Sequence, residues 1–198
     1  MKKGENFNRP KEGESIKVEP IRELKDIKAI KELLSDRPRD FCLFTLGINT
    51  NLRASDLLNL RAHQVVDLRP NDEIEIKEQK TSKLRRITLN KNCIDAIDRL
   101  LKSEKFKNGD FLFRSQRAPR LTVPSVTRLV KSWCAKINLK GNYGSHTLRK
   151  TWGYHQRVTF GRGLPELMTV FNHSSQKQTL DYLCVQPEEV KNIYKNML

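Results

Sequence analysis

The stretch GSHTLRKTWGYHQ, residues 144–156, is the part of the sequence on which the fold assignment depends. Ser145 is a suitable N-cap and the residues after it are compatible with a helix, so the stretch predicts a helix that opens at Ser145. His146 and Arg149 are three residues apart and therefore share one face of that helix. The stretch contains no Asp or Glu to pair with either side chain. This arrangement indicates a site for an anion such as a phosphate.

The shortage of carboxylates extends well beyond this helix. Residues 111–165 contain no Asp or Glu but eleven Lys and Arg residues, and the chain of 198 residues has 38 basic and 23 acidic residues, a net charge of +15. Positive charges at this density repel one another unless an anionic partner or water neutralises them, so a nucleic acid is the expected partner. DNA contacts are predicted for basic residues of this region: Arg114, Arg117, Arg120, Arg128, Lys131 and Lys150.

The composition also excludes several classes of protein. The cysteines have no CxxC spacing, which argues against a zinc site or a disulfide framework and is typical of a reducing compartment: Cys42, Cys93, Cys134 and Cys184. No run of about 18 apolar residues exists, and the N-terminus has no apolar signal-peptide core. We therefore expect a cytoplasmic, nucleoid-associated protein that contains neither a membrane span nor a signal peptide.

Hydrophobic periodicity predicts a mainly α fold with a small antiparallel β-sheet (α+β). Apolar residues at helical spacing predict helices in eight segments: 21–36, 39–51, 53–66, 93–103, 123–137, 145–156, 164–171 and 187–198. Residues 53–66 are predicted as a helix or only the start of one. Alternation with period two at 72–80 and 84–90, around the turn KTSK, predicts a β-hairpin. The polar stretch 172–182 is assigned no helix. Residues 1–20 are interpreted as a flexible basic arm, and residues 21–198 as one domain with a C-terminal helix at 187–198.

Three other segments carry side chains that could act on a phosphodiester. Arg53 lies in TNLRASDLLNLR at a junction between two predicted helices, and Lys80 lies on the hairpin turn. In FNHSSQKQTLDY, residues 171–182, His173 precedes Tyr182 by nine residues.

These segments, in this order, resemble the catalytic domain of the tyrosine recombinases, the family of phage and conjugative-element integrases. NLRASDLLNLR is similar to the first-arginine box of that family, SHTLR to its H-x-L-R box, and FNHSSQKQTLDY to its last box with the same step from histidine to tyrosine. The resemblance spans roughly residues 21–195. It implies the recombinase catalytic-domain fold and site-specific cleavage and rejoining of double-stranded DNA through a 3′-phosphotyrosyl intermediate, with no metal and no other cofactor.

The chemistry of strand cleavage requires the same set of residue types. A tyrosine hydroxyl can hold the phosphate covalently, and two arginines can bind its non-bridging oxygens and offset the charge of the transition state. A lysine can protonate the departing 5′-oxygen, and histidines can transfer protons near neutral pH. The resemblance assigns these roles to Tyr182 as nucleophile, Arg53 and Arg149 as phosphate clamp, Lys80 as general acid, His146 as proton-transfer and positioning group, and His173 as hydrogen-bond donor to the phosphate.

Some of these assignments leave alternatives open. Lys77 and Lys83 flank the same hairpin turn as Lys80, and only the family pattern favours Lys80. The competing tyrosines are expected in other roles, Tyr143 in a loop that could touch DNA, Tyr154 packed on its helix, and Tyr194 in the core. Asp56 is interpreted as a structural partner or a helix-start acid rather than a catalyst, and His155 as a structural histidine.

The sequence departs from the family pattern in two places. Phe171–Asn172 replaces the usual Leu-Gly before the second histidine; loss of a glycine there can shift the loop geometry, although asparagine tolerates the left-handed conformation better than most residues. Only about 20 residues precede the catalytic fold, where most of the family carries a core-binding domain. Without that domain DNA would be gripped from one side, unless the sequence is part of a longer protein. A two-metal nuclease is disfavoured, since the nearest acids flank the tyrosine: Asp181, Glu188 and Glu189. The resemblance further implies a homotetramer on DNA, with a monomer possible in solution.

Three other functions are compatible with part of the evidence. A topoisomerase of type IB would use the same covalent intermediate, and a non-catalytic DNA-binding protein would keep the same fold. A helix-turn-helix transcription factor would read DNA with residues 124–137, which accounts for the charge but leaves the histidine, arginine and tyrosine spacing unexplained.

Overall fold

The computed structural model describes residues 18–79, 82–183 and 195. Eight α-helices and one two-stranded antiparallel sheet make up the regular structure of these residues, which confirms the predicted fold class: α1 (Leu24–Leu33), α2 (Pro38–Gly47), α3 (Ala54–Leu57), β1 (Glu73–Lys77), β2 (Leu84–Thr88), α4 (Lys91–Ser103), α5 (Val123–Lys136), α6 (Ser145–Val158), α7 (Leu164–Phe171) and α8 (Gln176–Leu183). Most of the predicted arm, Lys80, Cys184 and the predicted helix 187–198 lie outside the described residues. None of the described helices has the length and apolar character that a membrane crossing requires.

The hairpin forms where the sequence alternates. β1 and β2 pair antiparallel, with Ile74 opposite Ile87 and Ile76 opposite Arg85. The isoleucines at 74, 76 and 87 are buried, whereas their neighbours along each strand are more exposed, so the sheet covers the core with one face.

The core is built around α2, which has seven buried residues in a helix of ten. Phe44 of α2 contacts Trp133 of α5 edge-to-face, with ring centroids 5.9 Å apart. Gly47, the last residue of α2, allows α6 to approach closely, because a Cβ atom at this position would lie 2.6 Å from the Cδ1 atom of Leu148. The helix that carries His146 and Arg149 is therefore held directly against the core.

The N-terminus of α6 differs in detail from the prediction. Gly144, not Ser145, occupies the N-cap position, and Ser145 is the first residue of the helix. The reason is that the hydroxyl of Thr147 accepts a hydrogen bond from the backbone N–H of Gly144 at 3.0 Å. The N–H of Ser145 points instead toward the hydroxyl of Thr127, at 3.4 Å. Contacts with α5 thus fix the start of the helix.

The second half of α6 is tied to the beginning of the domain. The N–H of Ile21 donates to the hydroxyl of Thr151 at 2.9 Å, and Nε2 of His155 lies 3.0 Å from the carbonyl oxygen of Ile21. The other ring nitrogen of His155 lies 2.7 Å from the hydroxyl of Thr159. Glu19, within the predicted arm, already donates from its N–H to the carbonyl of Asn142 at 2.8 Å. His155 therefore has the structural role expected of it.

His155 makes the folding stability depend on pH. Burial lowers the pKa of His155 below its ordinary value of 6.5, so the unfolded chain binds a proton more readily than the folded one. Stability consequently rises with pH through the range below 6.5 and falls on acidification. We expect the melting temperature to drop between pH 7 and pH 5, and the drop to be smaller in His155→Gln, which at pH 7 loses about 1–3 kcal/mol through the hydrogen bonds removed. Thermal melts at several pH values measure both quantities.

The control for this prediction is His63→Gln, at an exposed position in a short 3-10 turn. Its melting temperature should follow that of the wild type at every pH. An equal pH dependence in the wild type and in His155→Gln would contradict the assignment.

Two helix predictions differ from the structure. Residues 53–66, predicted as a helix or the start of one, form only the start, α3 followed by a 3-10 turn, because the backbone then leaves helical pairing to bond with residues 110–112. The carbonyl of Leu60 accepts from the N–H of Leu112 at 2.8 Å, and the N–H of Ala62 donates to Asp110 at 3.0 Å. Conversely, the polar stretch assigned no helix contains α8, whose first turn is capped by the hydroxyl of Ser175 accepting from the N–H of Gln178 at 3.2 Å.

Candidate active site

Tyr182 lies on α8 and its ring is surrounded by other aromatic rings. The centroid of Phe171, at the end of α7, is 5.0 Å away, and that of His173 is 5.3 Å away at an interplanar angle of 72°. Phe171 and His173 are themselves stacked, with centroids 5.1 Å apart. The nine residues from His173 to Tyr182 form a turn and the helix α8, which together bring the two side chains close to each other.

Asn172, one of the two departures from the family pattern, adopts the left-handed conformation. Its φ of 56° and ψ of 47° end α7, and its N–H bonds back to that helix. Glycine adopts this conformation without strain, and asparagine is among the few other residues that tolerate it. The N–H of His173 then donates to the carbonyl of Met168 at 3.0 Å. Asparagine therefore suits the backbone conformation at this position.

Gly153 on α6 allows this aromatic cluster to form. A Cβ atom at position 153 would lie 2.5 Å from Cζ of Phe171 and 2.7 Å from Cδ2 of Leu183. Both side chains are buried; Phe171 ends α7 two residues before His173, and Leu183 follows Tyr182 on α8.

We expect Gly153→Ala to impair the DNA cleavage that the family resemblance implies by roughly 10²-fold, because a displacement near 1 Å at a reacting group has an effect of this order. It should also destabilise the protein, since overpacking typically costs about 1–3 kcal/mol. Single-turnover cleavage and thermal melts measure the two effects. Ser132→Ala, at an exposed site on α5, is the matched control, and wild-type cleavage by Gly153→Ala would contradict the prediction.

Arg149 projects from α6 into the interior, where it is 4% exposed. Its Nη2 donates to the carbonyl of Phe171 at 3.3 Å, whereas Nη1 is buried and has no hydrogen-bond partner among the described residues. Burial, together with the cations of Arg53 and Arg85, lowers the pKa of Arg149 to about 10 against the opposing effects of Tyr182 and Glu78. A buried guanidinium with an unused N–H donor is suited to bind an anion.

Arg53 lies at the start of α3, where two carboxylates hold it. Its Nη1 is 2.8 Å from Oε2 of Glu78 and 3.8 Å from Oδ2 of Asp56. The other oxygen of Glu78 is 3.2 Å from Nη1 of Arg85, so this carboxylate bridges two arginines. Asp56 also accepts from the N–H of Gln79 at 2.9 Å, which ties the hairpin to α3. Asp56 thus contacts Arg53, as its expected structural role requires.

Glu78 and Arg85 are functional candidates that the sequence interpretation missed. A signal for Glu78 exists, because alternation places residue 78 on the same face as the buried Ile74 and Ile76. Arg85 is paired with Ile76 across the hairpin and so also faces the interior.

The two predicted histidines occupy different environments. Nδ1 of His173 is 3.1 Å from the hydroxyl of the buried Thr179, which leaves Nε2 to contact a ligand. Burial lowers the pKa of His173 below 6.5, and the nearby cations of Arg149 and Arg53 act in the same direction. His173 is therefore neutral at pH 7. His146 is exposed in the first turn of α6.

The structure thus brings four of the six predicted residues together. Arg53 and Arg149 influence each other and His173 electrostatically, and Tyr182 acts on Arg149. Beside Tyr182, an open cleft of about 410 Å³ is lined by residues of α6 and of the α8 region. No group of three or more His, Cys, Asp or Glu side chains that could hold a metal ion occurs in the part of the chain that the structure describes.

The predicted DNA-contacting residues differ in their exposure to solvent. Arg117, Arg128 and Lys131 are exposed. Arg120 lies partly exposed, with its guanidinium 5.1 Å from the ring centroid of Phe111.

Arg114 and Lys150 differ from the expectation of exposed cations. Arg114 pairs with Glu104 and, at 3.2 Å, with Asp110, acids that precede the acid-free stretch in sequence but lie beside it in space. Lys150 is only 6% exposed, with Nζ 5.2 Å from the ring centroid of Tyr182. Tyr143, expected in a loop that could touch DNA, is also buried, and its hydroxyl donates to the carbonyl of Lys140.

The chain is similar to known integrases and recombinases in sequence and in fold. It is 35% identical over 182 residues to the probable integrase/recombinase YoeC of Bacillus subtilis, covering 90% of this chain and 96% of YoeC. It is 31% identical over 173 residues to the tyrosine recombinase XerC of Caldanaerobacter subterraneus, covering 82% of this chain but 46% of XerC.

Two solved structures share the fold. The XerA recombinase superposes with a TM-score of 0.73 at 21% identity, covering 89% of this chain and 65% of XerA. The XerH recombinase bound to its palindromic difH substrate superposes with a TM-score of 0.69 at 20% identity, covering 92% and 55%. The sequence profile described as "Phage integrase family" matches residues 21–189, and with this match across most of its length the chain belongs to the phage integrase family.

Proposed function

We propose that this protein is a tyrosine site-specific recombinase, which cleaves and rejoins DNA strands through a covalent 3′-phosphotyrosyl intermediate. The observation that carries the proposal is the meeting of Arg53, Arg149 and His173 around Tyr182, since these residues come from three separate sequence motifs. The family membership, together with similarity to an integrase/recombinase along 96% of its length, supports the same function.

The proposed reaction begins with attack by the Tyr182 oxygen on the scissile phosphorus. The phenolic O–H bond breaks and its proton passes to His146, while the new O–P bond forms. The P–O5′ bond breaks, and the leaving oxygen takes a proton from Lys80. The 5′-hydroxyl of a partner strand then reverses these steps and releases Tyr182, so the phosphodiester energy is conserved.

The clamp consists of Arg53, Arg149 and His173. Nη1 of Arg149 offers a buried donor to a non-bridging oxygen, and Arg53 offers a second guanidinium. Neutral His173 acts as a donor through Nε2 when the Thr179 hydroxyl donates to Nδ1. Donors held in place before the reaction stabilise the charge that builds in the five-coordinate transition state.

We propose that no metal ion takes part. The carboxylates nearest the clamp, Glu78 and Asp56, are engaged by Arg53, Arg85 and a backbone N–H. The fixed cations supply the charge neutralisation that metal ions supply in two-metal nucleases.

The proposed partner is double-stranded DNA. The exposed Arg117, Arg128 and Lys131 are proposed to contact its phosphates, along with the partly exposed Arg120. The structural relative XerH is bound to DNA in its solved complex, which supports this choice of partner. We further propose that the protein is monomeric in solution, forms a tetramer on DNA, and works in the cytoplasm in association with the nucleoid.

Covalent trapping tests the proposal. The protein is incubated, without divalent cations, with a pool of nicked duplexes of randomised sequence, whose cleaved end diffuses away so that the adduct persists. We expect an adduct stable to denaturation, with the DNA 3′-phosphate on Tyr182 when the peptide is mapped by mass spectrometry. Sequencing the trapped DNA gives the target site, and a plasmid with two such sites should yield recombinants. Relaxed plasmid without recombinants would identify a topoisomerase instead, and no adduct would refute the proposal.

A further inference from the structure

Lys150 follows Arg149 on α6 but contacts a different side chain. The guanidinium of Arg149 lies 5.2 Å from the ring centroid of Phe171, whereas the ammonium of Lys150 lies 5.2 Å from the ring centroid of Tyr182. The two consecutive cations thus reach the two neighbouring rings of the aromatic cluster. Lys150 is also buried, which is unusual for a lysine.

Lys150 lines the cleft beside Tyr182. The ammonium and the phenol line one open cleft of about 410 Å³, together with Ser175, Lys177, Gln178 and Asp181. With Phe171 and His173 also in contact, the ring of Tyr182 is held by two aromatic rings and one cation.

A cation over a phenol has a chemical consequence when the phenol reacts. The attraction between an ammonium and an aromatic face is electrostatic, and it strengthens as negative charge appears on the phenolic oxygen. Because Lys150 is buried, water screens this attraction less than it would at the surface. An interaction stronger in the transition state than in the ground state accelerates the reaction.

We propose that Lys150 is a positioning residue for the nucleophile, which holds the ring of Tyr182 and stabilises the negative charge that develops on its oxygen during attack on the phosphate. The inference rests on the proposed function. Lys150 gives and takes no proton and forms no covalent bond, since the phenolic proton passes to His146 and the 5′-oxygen receives its proton from Lys80.

Other charged groups also lie near Tyr182. Among the described residues, α6 contributes Arg149 beside Lys150, the segment before α8 contributes His173, and α8 itself contributes Lys177 and Asp181. Lys102, near the end of α4, is exposed and does not line this cleft, whereas Lys150 is buried. A substitution at position 102 is therefore the control for one at position 150.

The test measures single-turnover covalent trapping between pH 6 and pH 9, with DNA affinity and melting temperature alongside. Lys150→Met is expected to be about 10- to 50-fold slower at pH 7, with the deficit shrinking as the pH rises toward the range in which a phenol ionises unaided, near 10. Lys150→Arg keeps the cation and should stay within about 3-fold of wild type. Lys102→Met should match the wild type.

A second substrate separates the nucleophile from the leaving group. A 5′-bridging phosphorothiolate departs without needing a proton, so it should restore cleavage by Lys80→Ala but leave the Lys150→Met defect in place. Restoration of Lys150→Met by this substrate would place Lys150 on the leaving-group side and overturn the proposal.

The remaining outcomes also decide the question. Wild-type cleavage by folded Lys150→Met overturns the proposal, as does an equal deficit at every pH with an equal loss of DNA affinity, which would indicate a DNA contact. If Lys150→Met does not fold, Lys150→Gln replaces it, and failure of both would show a role in stability alone. Absence of a wild-type adduct at Tyr182 refutes the proposed function itself and is thereby distinguished from failure of this inference.

Discussion

Tyr182→Phe is expected to eliminate covalent attachment to DNA, with a loss of at least about 10⁴-fold in the rate of strand cleavage, since removing a nucleophile has effects of this order. Phenylalanine keeps the ring that contacts Phe171 and His173 and removes only the oxygen that attacks. The melting temperature and the DNA affinity should therefore change little. The rate is measured by trapping on nicked duplexes, and the affinity by titration of labelled DNA.

The control for this prediction is Tyr143→Phe. The hydroxyl of Tyr143 donates to the carbonyl of Lys140, and burial raises its pKa to about 12, which makes it a poor nucleophile near neutral pH. This variant should cleave DNA at the wild-type rate. An adduct formed by Tyr182→Phe would mean that another residue attacks the phosphate.

Arg149→Lys is expected to reduce cleavage by roughly 10²- to 10³-fold, although the positive charge is formally conserved. A lysine cannot donate simultaneously from two fixed nitrogen atoms to the carbonyl of Phe171 and to a phosphate oxygen. The change should appear mainly in the single-turnover rate constant at saturating DNA, because the charge that attracts the phosphate remains. Arg157→Lys, near the end of the same helix, is the control.

This variant should also acquire a new pH dependence. Burial and the cations of Arg53 and Arg85 lower the pKa of the wild-type arginine to about 10, which still leaves it charged at neutral pH. The same environment acts on a lysine that starts from a pKa near 10.4, so its charge is lost within a lower pH range. The residual activity of Arg149→Lys should therefore fall as the pH rises from 7 to 9. A pH profile identical to that of the wild type would show that the site does not disfavour the cation.

Local patterns in the sequence were sufficient to predict much of the fold. The alternation of apolar and polar residues predicted the hairpin, and apolar residues at helical spacing predicted the helices that carry Phe44 and Trp133. Of residues 53–66, predicted as a helix or the start of one, only the start is helical, because residues 110–112, distant in sequence, compete for the following backbone groups. The missed helix α8 had a local signal, the Ser175 cap, but its polar composition concealed the buried Thr179 and Leu183.

Site residues that belong to sequence motifs were predictable, whereas the burial and partners of a side chain depend on tertiary packing and were not. Spacing alone selected Tyr182, and the structure places it beside His173. The burial of Lys150 could not be read from the sequence, because it depends on how α8 packs against α6. Neither could the engagement of Arg114, since counting acids along a segment ignores the acids that folding brings alongside.

The bridge made by Glu78 has a consequence for how the protein exists between reactions. Arg53 belongs to the phosphate clamp and Arg85 lies beside it, and the carboxylate of Glu78 offsets the repulsion between these two cations. Glu78 and Asp56 also fix the guanidinium of Arg53 without help from a phosphate. This part of the clamp therefore does not depend on DNA to be assembled.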